Sequence, residues 1–273
     1  MQPNEKPYPR VLTIAGSDSG GGAGIQADLK TFGALGAYGA SVITAVTAQN
    51  TQGVQAVHTV PSDIIRAQCE SVFTDIRIDA VKIGMLPDTE TICTVAAALR
   101  RHPAPFTVLD PVLVATSGDS LALENTTQAL LGELMPLADL LTPNLSELAA
   151  LSGRSLPRDE NEMLEQGRLL LQSGAKAVLL KGGHWSGGFA RDWLVRQNAD
   201  PQCFIGSRIP TRNTHGTGCT LSSAIAALYP HSKQLHLAVA AAKSYLHGAI
   251  DAGQHWHLGH GNGPVAHFWR TVR

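Results

Sequence analysis

The sequence predicts an α/β protein with a mostly parallel central sheet that is covered by helices on both faces. Apolar, β-branched runs of strand length recur along the chain. Segments with apolar residues at three- and four-residue spacing lie between most of these runs. Strands and helices that alternate in this way are typical of a parallel sheet between two helical layers.

Six apolar runs predict strands, at residues 11–15, 41–48, 80–83, 106–109, 140–142 and 177–180. Helical spacing covers residues 28–35, 62–73, 89–99, 126–135 and 163–171. The last third differs, with a predicted antiparallel strand pair at 191–196 and 203–209 and two Ala-rich helices at 219–228 and 235–250. No linker or repeat divides the chain, so we expect one domain over residues 1–273, with room for a small embedded flap.

The amino-acid composition argues against several classes of protein. The 273 residues are 44% hydrophobic and 16% charged, which favours a folded protein over a disordered one. With 21 basic and 22 acidic residues and no basic run, we expect no nucleic-acid partner. No apolar run approaches the length of a membrane span, and residues 1–10 do not resemble a signal peptide, so we expect a cytoplasmic protein without a membrane partner. The four scattered cysteines are expected to be reduced thiols.

Glycine and polar residues cluster directly after five predicted strands, at residues 16–18, 84–85, 110–112, 142–144 and 181–183. Ligands of open α/β sheets bind outside the carboxyl ends of the strands. We therefore expect these five clusters to converge on one ligand site.

Residues 16–32 read GSDSGGGAGIQADLKTF. Glycines ahead of a helix let the backbone approach a ligand and leave helix amides free for anionic groups, although a flexible turn would look the same. The spacing matches neither a Walker motif nor a dinucleotide-binding fingerprint. Asp28 could bind a ligand or could simply be a solvated helix residue.

A second glycine turn, Asn213 to Cys219, precedes an apolar helix. Amides stacked at a helix N-terminus would stabilise an oxyanion or a transferring phosphoryl group. Cys219 would lie in that field, which favours its thiolate and a role as base or nucleophile. The alternative is a cysteine that only fills apolar space.

Hard oxygen ligands and one cation follow three other strands. Asp110, Asn144 and Glu147 suit Mg²⁺, and Lys181 could contact phosphate. Each alone is an ordinary turn, cap or surface residue. Together with the glycine turn they favour phosphoryl transfer, which needs mainly positioning and charge neutralisation. The histidines near the C-terminus, His255, His257, His260 and His267, fit a glycine-rich turn better than a metal site.

These segments together resemble a known family, the hydroxymethylpyrimidine/phosphomethylpyrimidine kinases of thiamine biosynthesis, within the ribokinase-like superfamily. The resemblance lies in GSDSGGGAGIQADLKTF at 16–32, GAYGASVITAVTAQNTQGV at 36–54, VKIGML at 81–86, LDPVLVATSGD at 109–119, TPNLSE at 142–147, KGGH at 181–184 and NTHGTGCTLSSAIAA at 213–227. So many matches in order cover nearly the whole chain.

The resemblance implies a ribokinase-like three-layer α/β/α sandwich, usually dimeric. It implies transfer of the γ-phosphoryl group of ATP, with Mg²⁺, to the hydroxymethyl group of an aminopyrimidine and then to the resulting monophosphate. Two alternatives stay open: a pyridoxine/pyridoxal kinase, and a non-catalytic pyrimidine-binding sensor.

Residue roles carried over from the family are expectations. The pyrimidine pocket would comprise Gly16, Asp28, Gln49, Met85 and Val112, with Asp28 and Gln49 bonded to the aminopyrimidine. The anion hole falls on Gly216, Thr217 and Gly218, next to the proposed base Cys219, and Asn144, Lys181 and Thr214 would serve ATP while Asp110 and Glu147 serve Mg²⁺. Family members often have Lys in the stretch where this chain has Thr116.

Overall fold

A computed structural model describes residues 8–113, 120–183 and 187–270 of the chain. The strands in these ranges are β1 Arg10–Ala15, β2 Tyr38–Ile43, β3 Ala45–Asn50, β4 Gly53–Thr59, β5 Ala80–Ile83, β6 Thr107–Leu109, β7 Leu140–Leu141, β8 Ala177–Lys181, β9 Phe189–Arg196 and β10 Ala199–Ser207. The helices are α1 Gly24–Ala34, α2 Ser62–Asp75, α3 Thr89–Arg101, α4 Ser120–Ala129, α5 Leu145–Ser152, α6 Glu160–Gln172, α7 Thr217–Ser232 and α8 Leu235–Gly253.

Eight strands form the central sheet in the order β10-β9-β8-β7-β6-β5-β1-β2. The six strands from β2 to β8 in this order are parallel, whereas β9 runs antiparallel to both β8 and β10. The predicted parallel sheet with an antiparallel edge is confirmed. Because β1 has β2 on one side and β5 on the other, the strand order reverses at β1, and such a reversal opens a crevice at the carboxyl ends of the strands.

Two hydrophobic cores lie on opposite faces of the sheet. One contains α1, α7 and α8, and the other contains α2, α3, α5 and α6. Successive residues of β1 divide between them, since Val11 belongs to the first core and Leu12 to the second. This arrangement confirms the three-layer α/β/α sandwich. Within the described residues, no helix is both long enough and apolar enough to span a bilayer.

The predicted strand at 41–48 is wrong, because it consists of two strands in different sheets. The chain turns at the buried Thr44, whose amide donates to Ala15 O and whose hydroxyl donates to Met85 O. Beyond it, β3 and β4 form a separate antiparallel sheet, here called the flap. Sequence periodicity missed the break because the apolar run continues through it. The apolar pattern did not predict the second flap strand, β4, because most of its residues are exposed.

Two helical segments also differ from expectation. The helix predicted at 126–135 is α-helical only to Ala129 and continues as a π-helical turn over Leu130–Leu134. The short helix α5 was not predicted, although its capping box is visible in the sequence. The side chain of Asn144 accepts from the Glu147 amide, and the side chain of Glu147 accepts from the Asn144 amide.

Candidate active site

Two pockets open at the carboxyl edge of the sheet. The flap pocket, of about 670 Å³, lies between the flap and the ends of β1 and β5. The edge pocket, of about 620 Å³, lies between the ends of β7 and β8, the strand β10 and the helices α7 and α8. The predicted clusters that follow the strands are divided between these two pockets.

The turn that opens α7 joins the pockets. Gly216 has φ +79°, and a Cβ there would lie 1.8 Å from Gly22 O, so only glycine fits. Among the described residues, no acceptor faces the amides of Gly218 and Cys219. Gly218 lines the edge pocket and Cys219 lines the flap pocket. The free amides and the positive end of a 16-residue helix therefore face the junction.

Lys181 stands beside this junction with two carboxylates. Its Nζ lies 2.9 Å from Asp110 Oδ1 and 3.8 Å from Glu147 Oε2. A Cβ on Gly218 would be 3.4 Å from the same Nζ, which places the ammonium against the free amides. Thr142 also donates to Asp110 Oδ1, and the Ser222 hydroxyl lies 3.2 Å from Asp110 Oδ2 and 3.0 Å from Gly218 O. Burial opposes ionisation of Asp110, but Lys181 and Lys82 outweigh it and hold the pKa of its carboxyl below the usual range.

Glu147 ionises less readily than Asp110. Burial raises the pKa of Glu147 to about 7, although Lys181 opposes the rise. Two carboxylates thus share one ammonium, and this surplus of hard oxygen suits Mg²⁺. In the described part of the chain, no three His, Cys, Asp or Glu side chains converge to hold a metal ion. The pair therefore fits a cation whose remaining ligands are phosphate oxygens and water.

The surroundings of Cys219 favour its neutral thiol. Burial raises the pKa of the Cys219 thiol to about 11, and the nearby Lys82 lowers it only in part. The prediction that the surroundings favour the thiolate is wrong, because desolvation, Asp28 and Asp110 together outweigh Lys82 and the Gly24 amide. All four cysteines are free thiols, as predicted.

Asp28 does not line the flap pocket, contrary to expectation. Its side chain is fully buried, and its two oxygens accept from Lys82 Nζ at 2.8 and 2.9 Å, from Thr13 and from Ser223. All of its hydrogen-bonding capacity is used inside the protein, so nothing remains for a pyrimidine. Sequence reasoning missed Lys82, although a lysine inside the apolar strand AVKI was a signal of a buried partner.

The glycine loop after β1 wraps around its own aspartate. Asp18 Oδ1 accepts from the Gly20 amide, and Oδ2 accepts from the Gly22 and Ala23 amides. Of the two interpretations left open for this loop, binding of an anionic ligand by these amides is not supported, because the Asp18 carboxylate already accepts from them. Burial raises the pKa of Asp18, but His215 and these amides outweigh it and leave the pKa lowered.

The other residues expected at the pyrimidine do meet in the flap pocket. Its lining includes Gly16, Gln49, Met85 and Val112 together with Lys82 and Cys219. A Cβ on Gly16 would lie 2.4 Å from Met85 Cε, so the glycine leaves room for the methionine. The flap adds a lining that the sequence did not predict, from Val54 to Val57.

The edge pocket collects the residues expected at ATP. Asn144, Lys181, Thr214, Thr217 and Gly218 line it. Sequence reasoning missed its far wall, where Lys243 donates to Asp192 and where His247 contacts Ser207. Thr116 and His184, which belong to segments of the family resemblance, lie outside the described residues. The exposed His255, His257 and His260 lie away from both pockets, and His267 is buried against Thr220.

A lysine and two carboxylates beside a helix N-terminus at which two pockets meet are typical of small-molecule kinases. The comparisons agree with this class. The family model described as phosphomethylpyrimidine kinase matches residues 18–266. The chain belongs to the phosphomethylpyrimidine kinase family.

Individual relatives match over nearly their full length. The chain is 54% identical to hydroxymethylpyrimidine/phosphomethylpyrimidine kinase of Rhizobium meliloti (strain 1021), over 95% of this chain and 97% of that protein. It is similar in structure to Bacillus subtilis pyridoxal kinase in its ADP complex, with a TM-score of 0.90, 34% identity, and 98% and 100% of the two chains covered. Phosphomethylpyrimidine kinase of Clostridium difficile 630 gives a TM-score of 0.77 at 43% identity, over 89% of this chain and all of that one.

Proposed function

We propose that the chain transfers the γ-phosphoryl group of ATP to 4-amino-5-hydroxymethyl-2-methylpyrimidine and then to the resulting monophosphate, giving the diphosphate used in thiamine biosynthesis. The observation that carries this function is the meeting of two pockets beside Lys181, at the amides of Gly218 and Cys219, which have no hydrogen-bond acceptor among the described residues. Phosphoryl transfer needs such a junction, where donor and acceptor are aligned and developing charge is stabilised.

The edge pocket is the ATP site in this proposal. Lys181, Asn144 and Thr214 face the phosphates, and the turn from Gly216 to Cys219 receives the group in transfer. The Lys181 ammonium stays charged, because Asp110 and Glu147 outweigh burial and raise its pKa. Together the amides and the ammonium stabilise negative charge on the γ-phosphoryl oxygens.

Mg²⁺ fits beside these phosphates. Asp110 and Glu147 would hold it, directly or through water, since both are oxygen ligands next to the junction. The ion would neutralise phosphate charge when bound. Asp110 is oriented for this task by Thr142 and Lys181, which both donate to its Oδ1.

The flap pocket is the pyrimidine site. Met85 and Val112 supply apolar contact with the ring, Gln49 supplies an amide, and Gly16 leaves the space that Met85 needs. Cys219 lies where the hydroxymethyl oxygen must approach the junction. We assign it the role of accepting the proton of that alcohol, which only the first of the two transfers requires.

The test is ADP release by the purified chain with Mg²⁺-ATP, with products resolved by mass. Four acceptors are compared: hydroxymethylpyrimidine, its monophosphate, pyridoxal and pyridoxine. We expect both pyrimidines to be converted to the diphosphate. A chain that releases ADP only with the pyridine substrates, or that binds pyrimidine without releasing ADP, contradicts the proposal.

A pyridoxal kinase activity is the second candidate, because the structure is similar to Bacillus subtilis pyridoxal kinase over 98% of this chain. That relative is 34% identical, whereas the kinase of Rhizobium meliloti is 54% identical. The higher identity favours the pyrimidine as the main substrate. The four-acceptor assay separates the two activities directly.

We also propose that residues 1–273 form one kinase domain that acts in the cytoplasm as a homodimer. Both hydrophobic cores share the same central sheet, which supports a single domain. The flap exposes about half of Val46 and Val54, and a second copy would cover such apolar surface. Light scattering on the purified protein should give twice the chain mass of 28.8 kDa.

A further inference from the structure

Three segments of the chain meet at His215. The residue lies in the loop before α7, and its Nε2 is 3.0 Å from Asp18 Oδ2 in the glycine loop. The same Nε2 is 3.3 Å from Gln49 Nε2 on the flap strand β3. Asp18 and Gln49 line the flap pocket, whereas His215 stands behind them.

The contact with Asp18 fixes where the histidine proton lies. A ring nitrogen of histidine either carries a hydrogen or presents a lone pair, and an ionised carboxylate can only accept. Asp18 is held ionised by three backbone amides and by His215 itself. Nε2 of His215 therefore carries its hydrogen toward Asp18, and it cannot accept a hydrogen bond from Gln49.

The orientation of the Gln49 carboxamide must be compatible with this donor. The oxygen and nitrogen ends of a glutamine amide are assigned from their partners. An amide nitrogen beside His215 Nε2 would set two N–H groups against each other. The other end of the amide lies 3.4 Å from Thr47 Oγ1, and the hydroxyl hydrogen of Thr47 is already donated to Ser17 O. Thr47 Oγ1 can therefore accept but not donate.

Both conflicts disappear when Gln49 Oε1 faces His215 and Nε2 faces Thr47. In this orientation the His215 Nε2 hydrogen, which points mainly at Asp18, is shared with Gln49 Oε1 as a bifurcated bond, and one hydrogen of Gln49 Nε2 is donated to Thr47 Oγ1. The second hydrogen of Nε2 remains for a ligand in the flap pocket.

We propose that Asp18 and His215 are positioning residues of the acceptor site, which turn the Gln49 carboxamide so that its nitrogen donates to a ring nitrogen of the substrate. The inference rests on the proposed pyrimidine site and names the chemistry that selects the ring. A ring with an unprotonated nitrogen at that edge is bound, and a ring that presents a donor there is rejected, because two donors would meet.

The first experiment replaces the donor but keeps the acceptor. In Gln49→Glu, a carboxylate still accepts from His215 but has no hydrogen for the ring. We expect KM for hydroxymethylpyrimidine to rise at least about tenfold, with kcat and KM for ATP within about twofold. Gln52→Glu is the matched control, because it makes the same charge change on the exposed turn of the flap outside the pocket, and it should leave all three constants unchanged. An unchanged or lower KM in Gln49→Glu overturns the inference, since the substrate would then face the Gln49 oxygen.

The second experiment asks whether His215 acts through Gln49. His215→Phe keeps a ring but loses the donor, and we expect a several-fold rise in KM for the pyrimidine without a change in KM for ATP. The double variant His215→Phe/Gln49→Glu should bind the pyrimidine no worse than Gln49→Glu alone, because the orienting contact has nothing left to orient. Additive losses, or a fall in kcat alone, would show a general structural role of the loop and overturn the assignment.

Binding of hydroxymethylpyrimidine is measured by calorimetry alongside ADP release. Wild-type protein that binds the pyrimidine without turnover fails the proposed function, while the order of affinities among the variants still decides the inference. Wild-type protein that does not bind the pyrimidine overturns both.

Discussion

Two buried lysine–aspartate couples lie near the junction of the pockets, and they differ in access. In the sealed couple, Lys82–Asp28, neither side chain has any exposed surface, and only Lys82 reaches the wall of the flap pocket. In the open couple, Lys181–Asp110, the lysine side chain is 13% exposed and lines the edge pocket. The N–O distances are nearly equal, 2.8 and 2.9 Å, so the pairing itself does not distinguish them.

Charge balance explains why one couple supports the fold and the other faces ligand. Asp28 receives four hydrogen bonds and neutralises Lys82, so the sealed couple has no unused acceptor. The open couple adds a second carboxylate, Glu147, 3.8 Å from Lys181. An excess of carboxylate beside a free helix N-terminus leaves capacity for a cation and for phosphate. A buried couple therefore indicates a reactive site only when its charges are incompletely matched.

The largest effect is expected from Lys82→Met. It leaves the Asp28 carboxylate buried without its cation, and we expect the free energy of unfolding, measured in urea, to fall by about 3–5 kcal/mol. The double variant Asp28→Asn/Lys82→Met removes both charges and should recover a substantial part of this loss. Wild-type stability in Lys82→Met would show that the couple is not sealed in solution.

Lys181→Met should do the reverse, with a large loss of activity and a small loss of stability. We expect kcat for ADP release to fall about 10²- to 10³-fold, because the ammonium that stabilises the transferring group is gone. Asp110 keeps its bond from Thr142 and the electrostatic support of Lys82, so the fold should tolerate the change better than the loss of Lys82. Lys176→Met, at an exposed pair with Asp139, is the control and should keep wild-type kcat. Equal kcat values in the two variants would remove Lys181 from the mechanism.

The same two lysines show which features of the structure could be predicted from the sequence and which could not. Both follow apolar residues in a predicted strand and precede glycine by at most two positions, in KIG and KGG. Periodicity predicted both strands, the parallel sheet and its antiparallel edge, since these depend on local pattern. Which lysine is sealed depends on Asp28, which reaches Lys82 from α1 and is itself bonded by Ser223 from α7, and no local pattern reports that packing. The turn at Thr44 was missed for the same reason, because its partners are Ala15 and Met85.

Cys219 interacts electrostatically with both couples, and its proposed role concerns only the first of the two transfers. We expect Cys219→Ala to slow the first phosphorylation about 10²-fold and the second much less, because a monophosphate acceptor is already ionised near neutral pH. Single-turnover rates with hydroxymethylpyrimidine and with its monophosphate give the comparison. Equal losses in both transfers would sink the assignment of Cys219 as proton acceptor and leave it a packing role.

The pH dependence of the two transfers is a second test of Cys219 as the proton acceptor. Burial raises the pKa of Cys219 to about 11, so the thiolate is a small fraction at neutral pH and grows about tenfold per pH unit below that value. If the thiolate takes the alcohol proton, the single-turnover rate of the first transfer should rise with that slope between about pH 7 and 9. The second transfer should stay nearly flat, because the phosphate of its acceptor has a second pKa of about 6. Cys219→Ala should lose the slope in the first transfer. A first transfer that is as flat as the second in wild-type protein would mean that the Cys219 thiolate does not take the alcohol proton, which would then pass to the phosphoryl oxygens.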